Sequence, residues 1–144
     1  MNASEPVNRI MTRPVLTVGA NELLEEALRL SAAYPVHRLP VVEDGRVVGT
    51  LSSADIAKLQ LCLPPPGPAR EALLRQRLQV RNIMRSPALT VTEHESAQRA
   101  AQLMADNGVH SLPVVDSQGA LIGMVTRHAC RIPARTLRLS LKLC

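Results

Sequence analysis

VHRLPVVEDGRVVG, residues 36–49, recurs in the same chain as VHSLPVVDSQGALIG, residues 109–123. The likeness extends outward, because residues 7–55 align with residues 80–129 with 19 identities in 49 pairs when Gln118 is treated as an insertion. Chance would give roughly three, given ordinary residue frequencies. Internal similarity of this kind indicates a duplicated structural unit, so both copies are expected to take the same fold.

Each copy indicates one short series of strands and helices. In the first copy these are an extended segment, an amphipathic helix, two hairpin strands and a second helix, over residues 14–18, 22–33, 39–42, 47–51 and 52–61. The resulting order in each copy is β-α-β-β-α. Two copies therefore predict an α/β fold of the α+β type with two small sheets.

Turn and capping residues mark the limits of these elements. Glu43-Asp44-Gly45 is typical of a hairpin turn. In the second copy, Thr92 and Glu95 have the spacing of a capping box, and Asn107-Gly108 is a typical helix stop. The local signals and the apolar periodicity thus predict the same elements.

The repeats divide the chain into four parts: a first domain, a Pro-rich loop with a linking helix, a second domain and an atypical tail, over residues 1–62, 63–79, 80–129 and 130–144. Three successive prolines and a Gly-Pro exclude helix or central strand from the loop. Pro133 should truncate the final helix of the second domain. The tail alternates leucine with polar residues, which is a strand period, and both an ordered edge strand and a segment without a role remain open.

Composition points to a soluble globular protein. The chain is 46% hydrophobic and 20% charged, and it contains no apolar run of the roughly 20 residues that span a bilayer. Its first ten residues lack the basic and apolar regions of a signal peptide. We therefore expect a cytoplasmic protein with no membrane partner. Three cysteines without metal-ligand spacing predict neither a metal site nor a disulfide framework.

The charge of the chain favours anionic partners. Its net charge is +5, with fifteen arginines and two lysines, and positive charge attracts nucleotides, nucleic acids and acidic surfaces. One tyrosine and no other aromatic side chain leave no platforms on which single-stranded bases could stack. A small phosphorylated ligand is thus favoured, and weak nucleic-acid binding through the arginine surface is the alternative. No common catalytic motif is present, so neither an enzyme nor a catalytic cofactor is predicted.

Several of these motifs together resemble those of a known family. They are the VxxIM openings at residues 7–11 and 80–84, the VHxLPVV blocks at residues 36–42 and 109–115, and the paired glycines of each returning strand at residues 45–49 and 119–123. The first copy also ends in S-x-x-D, at residues 52–55. This combination resembles the cystathionine β-synthase (CBS) domain, and two in tandem resemble the CBS pair called a Bateman module. The resemblance covers residues 7–127, nearly the whole chain.

The resemblance implies a fold and a role. It implies two CBS domains packed pseudo-symmetrically through their sheets, with up to two ligand clefts between them, and a homodimer of such pairs. The family binds AMP, ADP, ATP or S-adenosylmethionine, and it regulates an attached or partner protein, such as an enzyme or a transporter acting in trans. A structural or dimerisation module that binds nothing remains the alternative.

Ser52 and Asp55 have two compatible interpretations. Three residues apart at a strand-to-helix junction, they are typical of a capping box. A carboxylate in this place could also accept both hydroxyls of a ribose, which is what this position does in the family, and the positive helix terminus favours a nearby phosphate.

His37 and Arg38 precede a predicted strand at a corner that meets phosphates in the family. The planar guanidinium of Arg38 suits phosphate oxygens. His110 repeats His37, but Ser111 replaces Arg38. A metal shared by the two histidines is not predicted, because no carboxylate or thiol accompanies them at ligand spacing. Ordinary surface or interface roles remain the alternative for both histidines.

Other nucleotide contacts follow from the resemblance. Thr17 and Thr90, each in an LTV segment, are candidate contacts, although threonine also favours a strand for its own sake. Val36, Leu39 and Pro40 would supply an apolar wall for an adenine.

The two copies differ at their ends. Ser52 and Asp55 correspond to Thr126 and Ala129, so the second copy keeps a hydroxyl but has no carboxylate for a ribose. We therefore expect two unequal sites, with the stronger one built around the first copy.

Overall fold

The structure is a computed structural model. It describes residues 4–13, 15–34 and 37–130, apart from the side chains of residues 76 and 77. Their helices and strands are β1 (Val18–Gly19), α1 (Leu24–Ala33), β2 (Arg38–Glu43), β3 (Arg46–Ser52), α2 (Ser53–Cys62), α3 (Pro68–Ala72), β4 (Val91–Thr92), α4 (Ala97–Asn107), β5 (Ser111–Val115) and β6 (Leu121–Thr126). The repeats open with short 3-10 turns at Val7–Arg9 and Val80–Asn82. A π-helical turn at Leu73–Arg77 follows α3. The strands form two three-stranded sheets, which confirms the predicted fold class.

The first sheet is ordered β1-β2-β3, with β1 parallel and β3 antiparallel to β2. Its hairpin turn consists of Asp44 and Gly45, whose φ angles are 52° and 77°. Positive φ at both central residues matches the twist of a hairpin, and Asp-Gly is a favoured pair in such turns. The predicted turn is confirmed.

The second sheet, β4-β5-β6, repeats this arrangement. Both hairpins shift register at one point of the ladder, between Val41 and Val42 in the first sheet and between Val114 and Val115 in the second. The inserted Gln118 lies in the second turn, where its N–H donates to the Asp116 carboxylate at 2.8 Å. The insertion is therefore accommodated without changing the strands.

The chain forms two compact units whose limits cross those of the repeats. The first-sheet unit contains the described residues from 16 to 89, and the second-sheet unit contains those up to 15 and from 90 onward. In the first-sheet unit the Leu24 N–H donates to Leu78 O at 2.8 Å, and the Val80 N–H donates to Glu22 O at 2.9 Å. Each repeat thus opens with a segment that belongs to the other repeat's unit. The domain limits drawn from the repeats stay a prediction.

The core of the first-sheet unit contains residues from both repeats. Its members are buried apolar side chains of β1, α1, the hairpin, α2 and the second repeat's opening: Val18, Ala20, Leu24, Ala27, Leu39, Val41, Leu51, Ile56 and Val80. Val80 is fully buried, and in the second-sheet unit Val7 is fully buried as well. The opening valine of each VxxIM motif therefore contributes to a core.

The second glycine of each returning strand allows the opening segment to approach closely. A Cβ atom at Gly49 would lie 2.7 Å from both the Arg85 carbonyl oxygen and the Met84 sulfur, and one at Gly123 would lie 2.6 Å from the Met11 sulfur. Glycine inside a strand commonly marks such an approach. In each unit, the second glycine of the returning strand thus contacts the methionine of a VxxIM motif.

The helix ends follow the sequence signals with one exception. α4 ends at Asn107, followed by Gly108 with a φ of 64°, as predicted. Its start differs from the prediction, because Ser96 is the N-cap and the helix begins at Ala97. The Glu95 carboxylate does accept from the Thr92 N–H at 2.9 Å, but it does so in the turn before the helix.

The segments around the repeats are only partly described. Residues 63–67, which include the three prolines, form neither helix nor strand, and the predicted linking helix is present as α3 and the π-helical turn. After β6 the chain makes a turn at residues 127–130. No helix begins within these four residues, so the order β-α-β-β-α predicted for each copy is complete only in the first copy over the described residues. The tail prediction for residues 131–144 lies outside the described residues. Nowhere in the described ranges is a helix long and apolar enough to cross a membrane.

Candidate functional site

Ser52 and Asp55 form the predicted capping box at the start of α2. The Asp55 N–H donates to the Ser52 hydroxyl at 3.0 Å, and the Ser52 N–H donates to Asp55 Oδ2 at 3.1 Å. Ser52 is buried, and only 11% of the Asp55 side chain is exposed. The cap therefore holds the carboxylate in one orientation at the junction of strand and helix.

Arg85 binds the other oxygen of this carboxylate. Its Nε donates to Asp55 Oδ1 at 3.1 Å, and 60% of its side chain is exposed. Two backbone hydrogen bonds with Thr50, at 2.9 and 3.0 Å, hold Arg85 beside β3. Neither Thr50 nor Arg85 is among the residues predicted from the sequence. Arg85 is absent because the prediction assumes that each repeat folds on itself, whereas Arg85 comes from the second repeat.

Arg38 is the second cation of the site. It lies opposite Ser52 in the β2–β3 ladder, and Pro40 lies opposite Thr50, so these four side chains share one face of the hairpin. The Arg38 Nη1 donates to the Thr50 hydroxyl at 3.0 Å. The core residues Leu39 and Leu51 occupy the opposite face.

The ionisable groups of the site influence one another. Burial lowers the pKa of Arg38, while Asp55 acts to raise it and Arg85 to lower it further, although arginine stays charged in proteins. Burial acts to raise the pKa of Asp55, but hydrogen bonds from Ser52 and Arg85 outweigh it and leave that pKa below its ordinary value. Two cations therefore surround one anion, which leaves an excess positive charge.

We call Arg38, Thr50, Ser52, Asp55 and Arg85 the charged cluster. Its counterparts in the second-sheet unit, taken from the repeat alignment, are Ser111, Met124, Thr126, Ala129 and Thr12. All five positions differ, and no counterpart is ionisable. Half of the cap remains, because the Ala129 N–H donates to the Thr126 hydroxyl at 3.1 Å.

The other predicted contact residues have the following positions. Thr17 and Thr90 are half-buried and lie immediately before β1 and β4 rather than within a strand. His37 and His110 are exposed, and His110 Nδ1 is 3.4 Å from Arg127 Nη1. Val36 lies outside the described residues. Of the predicted contacts, the structure therefore brings together Arg38, Pro40, Ser52 and Asp55. Leu39, predicted to line the adenine with Pro40, instead lies in the core on the opposite face of the hairpin.

A separate depression of about 340 Å³ in the first-sheet unit contains none of the predicted contacts. Its lining is Gly19, Ala20, Asn21, Glu22, Val42, Glu43 and Asp44. Three carboxylates make this surface unfavourable for phosphate. Arg81 partly neutralises it by pairing with Glu43 and donating to Asn21.

Metal and thiol chemistry find little support in the described ranges. They contain no group of three or more histidine, cysteine or acidic side chains placed to hold a metal ion. Burial raises the pKa of the Cys130 thiol to about 11, so this side chain stays protonated and unreactive. Cys62 is exposed, and Cys144 lies outside the described residues.

Comparison with known proteins identifies the class of protein. The CBS domain family matches residues 7–61 and 80–131, so the chain belongs to the CBS domain family and carries two CBS domains in tandem. It is 36% identical over 124 residues to a CBS domain-containing protein of Dictyostelium discoideum, which covers 84% of this chain and 85% of that protein.

Two crystal structures of similar architecture contain adenosine ligands. CBSX2 in complex with AMP has 26% identity and a TM-score of 0.73, over 96% of this chain and 98% of that one. The CBS domain pair of protein MJ0100, in complex with 5′-methylthioadenosine and S-adenosyl-L-methionine, has 26% identity and a TM-score of 0.68 over the same shares. The predicted resemblance to a CBS pair is confirmed.

CBS domains also occur within larger proteins. An inosine-5′-monophosphate dehydrogenase of Korarchaeum cryptofilum is 30% identical over 129 residues, which are 88% of this chain but 24% of the enzyme. The cytosolic domain of the Mg²⁺ channel MgtE, in complex with ATP, matches 88% of this chain with a TM-score of 0.69, over 47% of its own length. Relatives of this chain are thus parts of enzymes and channels.

Proposed function

We propose that this chain is a regulatory CBS pair that binds an adenine nucleotide at the charged cluster. The observation that carries the proposal is the position of Asp55, whose carboxylate is fixed by the cap and flanked by Arg38 and Arg85. A nucleotide offers a ribose diol to the carboxylate and phosphate oxygens to the cations. One small region of the first-sheet unit therefore contains the groups that both ends of such a ligand need.

Each group has a distinct role in this proposal. Asp55 accepts the ribose hydroxyls, and Arg38 binds phosphate through its planar set of donors. The N-terminus of α2, which begins one residue after Ser52, adds a partial positive charge. Pro40, on the same hairpin face, contributes apolar surface against the adenine.

The remaining predicted contacts are divided between two sites. Thr17, Val36 and His37 are proposed as further contacts of this first site. Thr90, His110 and Thr126 are proposed as contacts of a second, weaker site, since their unit lacks counterparts of Asp55 and Arg38. Similar CBS pairs contain AMP in one case and S-adenosyl-L-methionine with 5′-methylthioadenosine in another, so both kinds of ligand are candidates.

The output of binding is proposed to be regulation of another protein rather than catalysis. Relatives place CBS domains beside enzyme and channel segments, and an enzyme or transporter in trans would be regulated in the same sense. A homodimer is also proposed. Leu61 is 87% exposed and Tyr34 is 51% exposed, and a two-fold contact would bury such surface.

The decisive experiment is a thermal-shift panel with AMP, ADP, ATP, S-adenosylmethionine and NAD. A ligand at 100 times its dissociation constant should add about 2.7 kcal/mol to the free energy of unfolding. At the same ligand concentration, Asp55→Ala should lose about half of this shift or more, because its affinity is expected to fall at least tenfold. The matched control Asp106→Ala removes an exposed carboxylate from α4 and should keep the shift. Unchanged melting of the wild type with all five ligands would refute the proposal in favour of a structural module.

A further inference from the structure

Both oxygens of the carboxylate proposed to receive the ribose already accept a hydrogen bond from the protein. Oδ2 of Asp55 accepts from the Ser52 N–H at 3.1 Å, and Oδ1 accepts from Arg85 Nε at 3.1 Å. The cap bond is part of the helix start, with Ser52 buried. The bond to Arg85 is the one that a ligand can displace, because the Arg85 side chain is 60% exposed and free to move into solvent.

Displacing Arg85 has different consequences for different ligands. A diol that takes over Oδ1 leaves the guanidinium without its anion, beside a second cation in Arg38. A phosphate on the same ligand replaces the lost partner with an equivalent charge-assisted hydrogen bond. An uncharged nucleoside offers no replacement, so it must compete with Arg85 without compensation.

We propose that Arg85 determines ligand selectivity at the charged cluster, by releasing Asp55 to phosphorylated adenosine ligands and withholding it from uncharged ones. This inference rests on the proposed function of the cluster. It adds a specificity residue that comes from the opposite repeat, since Arg85 belongs to the opening segment of the second copy.

The second-sheet unit supplies the appropriate substitution. There the counterparts of Asp55 and Arg85 are Ala129 and Thr12, so the carboxylate and the guanidinium are both missing. The Thr12 backbone still pairs with Met124, at 2.8 and 3.1 Å, as Arg85 pairs with Thr50. Threonine is therefore compatible with this backbone position, and Arg85→Thr should remove the charge while keeping the fold.

The test is calorimetric titration of AMP and of adenosine into wild type, Arg85→Thr, Arg85→Lys and Arg81→Thr. Arg81→Thr is the matched control, because Arg81 lies in the same segment but pairs with Glu43. Removing the competitor should strengthen binding of both ligands about threefold, and losing its phosphate contact should weaken AMP binding about tenfold. For Arg85→Thr we therefore expect adenosine to bind about threefold more tightly and AMP about threefold more weakly.

The preference for AMP over adenosine should thus fall about tenfold in Arg85→Thr, stay largely intact in Arg85→Lys and be unchanged in Arg81→Thr. If Arg85→Thr binds both ligands but keeps the wild-type preference, Arg85 does not select, and the proposed function stands without it. If wild type binds neither ligand, the proposed function fails and this inference fails with it. Should Arg85→Thr not fold, Arg85→Gln takes its place, because it also removes the charge: a preference about tenfold lower than in Arg81→Thr would support selection by Arg85, and an unchanged preference would refute it.

Discussion

The two sheets of this chain share one backbone arrangement and differ at every position of the charged cluster. Both have a parallel first pair, an antiparallel hairpin and a register shift at the corresponding point. Both place a methionine of the other repeat's opening against a strand glycine. Only the first-sheet unit carries the carboxylate with its two cations. The features that both units share are thus those of strand pairing and packing, whereas the ionisable groups of the charged cluster are present in the first-sheet unit and absent from the corresponding positions of the second.

The backbone arrangement shared by the two units can be tested at the two strand glycines, where we expect the largest effects on the free energy of unfolding. In Gly49→Ala the new Cβ would lie 2.7 Å from the Arg85 carbonyl oxygen, and in Gly123→Ala it would lie 2.6 Å from the Met11 sulfur. Overpacking of this kind typically costs about 1–3 kcal/mol. Gly49→Ala should be the more destabilising, because backbone yields less readily than a flexible side chain. Urea unfolding measures both losses.

A suitable control for these variants is Gly45→Asn. Gly45 has a φ of 77° with open space around its Cβ position, and asparagine tolerates that conformation. A positive φ still strains asparagine, but without a steric clash the stability should fall less than in either strand-glycine variant. If only one of the two strand glycines proves sensitive, the contact is not equivalent in the two units and the likeness of their backbones is weaker than the strand pairing indicates.

The functional difference can be removed by Asp55→Ala, which gives the first-sheet unit the residue found at position 129. Losing a hydrogen bond to a charged group costs about 1.5–3 kcal/mol, so AMP should bind at least tenfold more weakly. The Ser52 hydroxyl still caps α2, as the Thr126 hydroxyl caps the corresponding turn. The ligand-free melting temperature should therefore fall only slightly.

Calorimetry measures both the affinity and the number of sites in this comparison. We expect about one strong site per chain in the wild type and none in Asp55→Ala. Two equal wild-type sites would contradict the difference between the units. Normal binding by Asp55→Ala would assign Ser52 and Asp55 to capping alone.

The opposite experiment installs the charged groups in the second-sheet unit. A variant with Ser111→Arg, Ala129→Asp and Thr12→Arg supplies counterparts of Arg38, Asp55 and Arg85 on an equivalent backbone. We expect a second calorimetric site, weaker than the first because Met124 has no hydroxyl to hold the new arginine as Thr50 holds Arg38. The double variant without Ala129→Asp is the control and should keep one strong site. A single strong site in both would show that the backbone likeness is insufficient to transfer binding.

Much of the fold was predictable because its signals are local. The Asp44-Gly45 turn, the Ser52 cap and the Gly108 helix stop each act within a few residues, and the structure confirms them. The strands β1 and β4 were less predictable. Their bounds depend on which residues pair with β2 and β5, and that pairing leaves Thr17 and Thr90 just outside them.

The site was only partly predictable for a related reason. Asp55 and Arg38 are recognisable when the two repeats are aligned, because each is charged where the second copy has a neutral residue. Arg85 also differs from its counterpart Thr12, but nothing in its own repeat indicates that it packs beside β3 of the other. Arg85 reaches this place because each opening segment packs in the other repeat's unit. The resulting contact joins Asp55 and Arg85, which are 30 residues apart in the sequence.

The smallest expected effect is on stability in acid. It again distinguishes the two units, because Asp55 has no ionisable counterpart in the second-sheet unit. The pKa of Asp55 lies below its ordinary value of 3.8, because hydrogen bonds from Ser52 and Arg85 outweigh the opposing effect of burial. A carboxyl group with a lowered folded-state pKa stabilises the fold above its unfolded-state value, and this stabilisation is lost as the pH falls through the folded-state value. The unfolding free energy of wild type should therefore exceed that of Asp55→Asn at pH 7, and the gap should begin to close below about pH 4. Urea unfolding at several pH values between 7 and 3 measures the gap, with Asp106→Asn as a control for an exposed carboxylate. A gap that stays constant down to pH 3 would mean that the charge of Asp55 contributes nothing to stability, and that the cap depends on hydrogen-bond geometry alone.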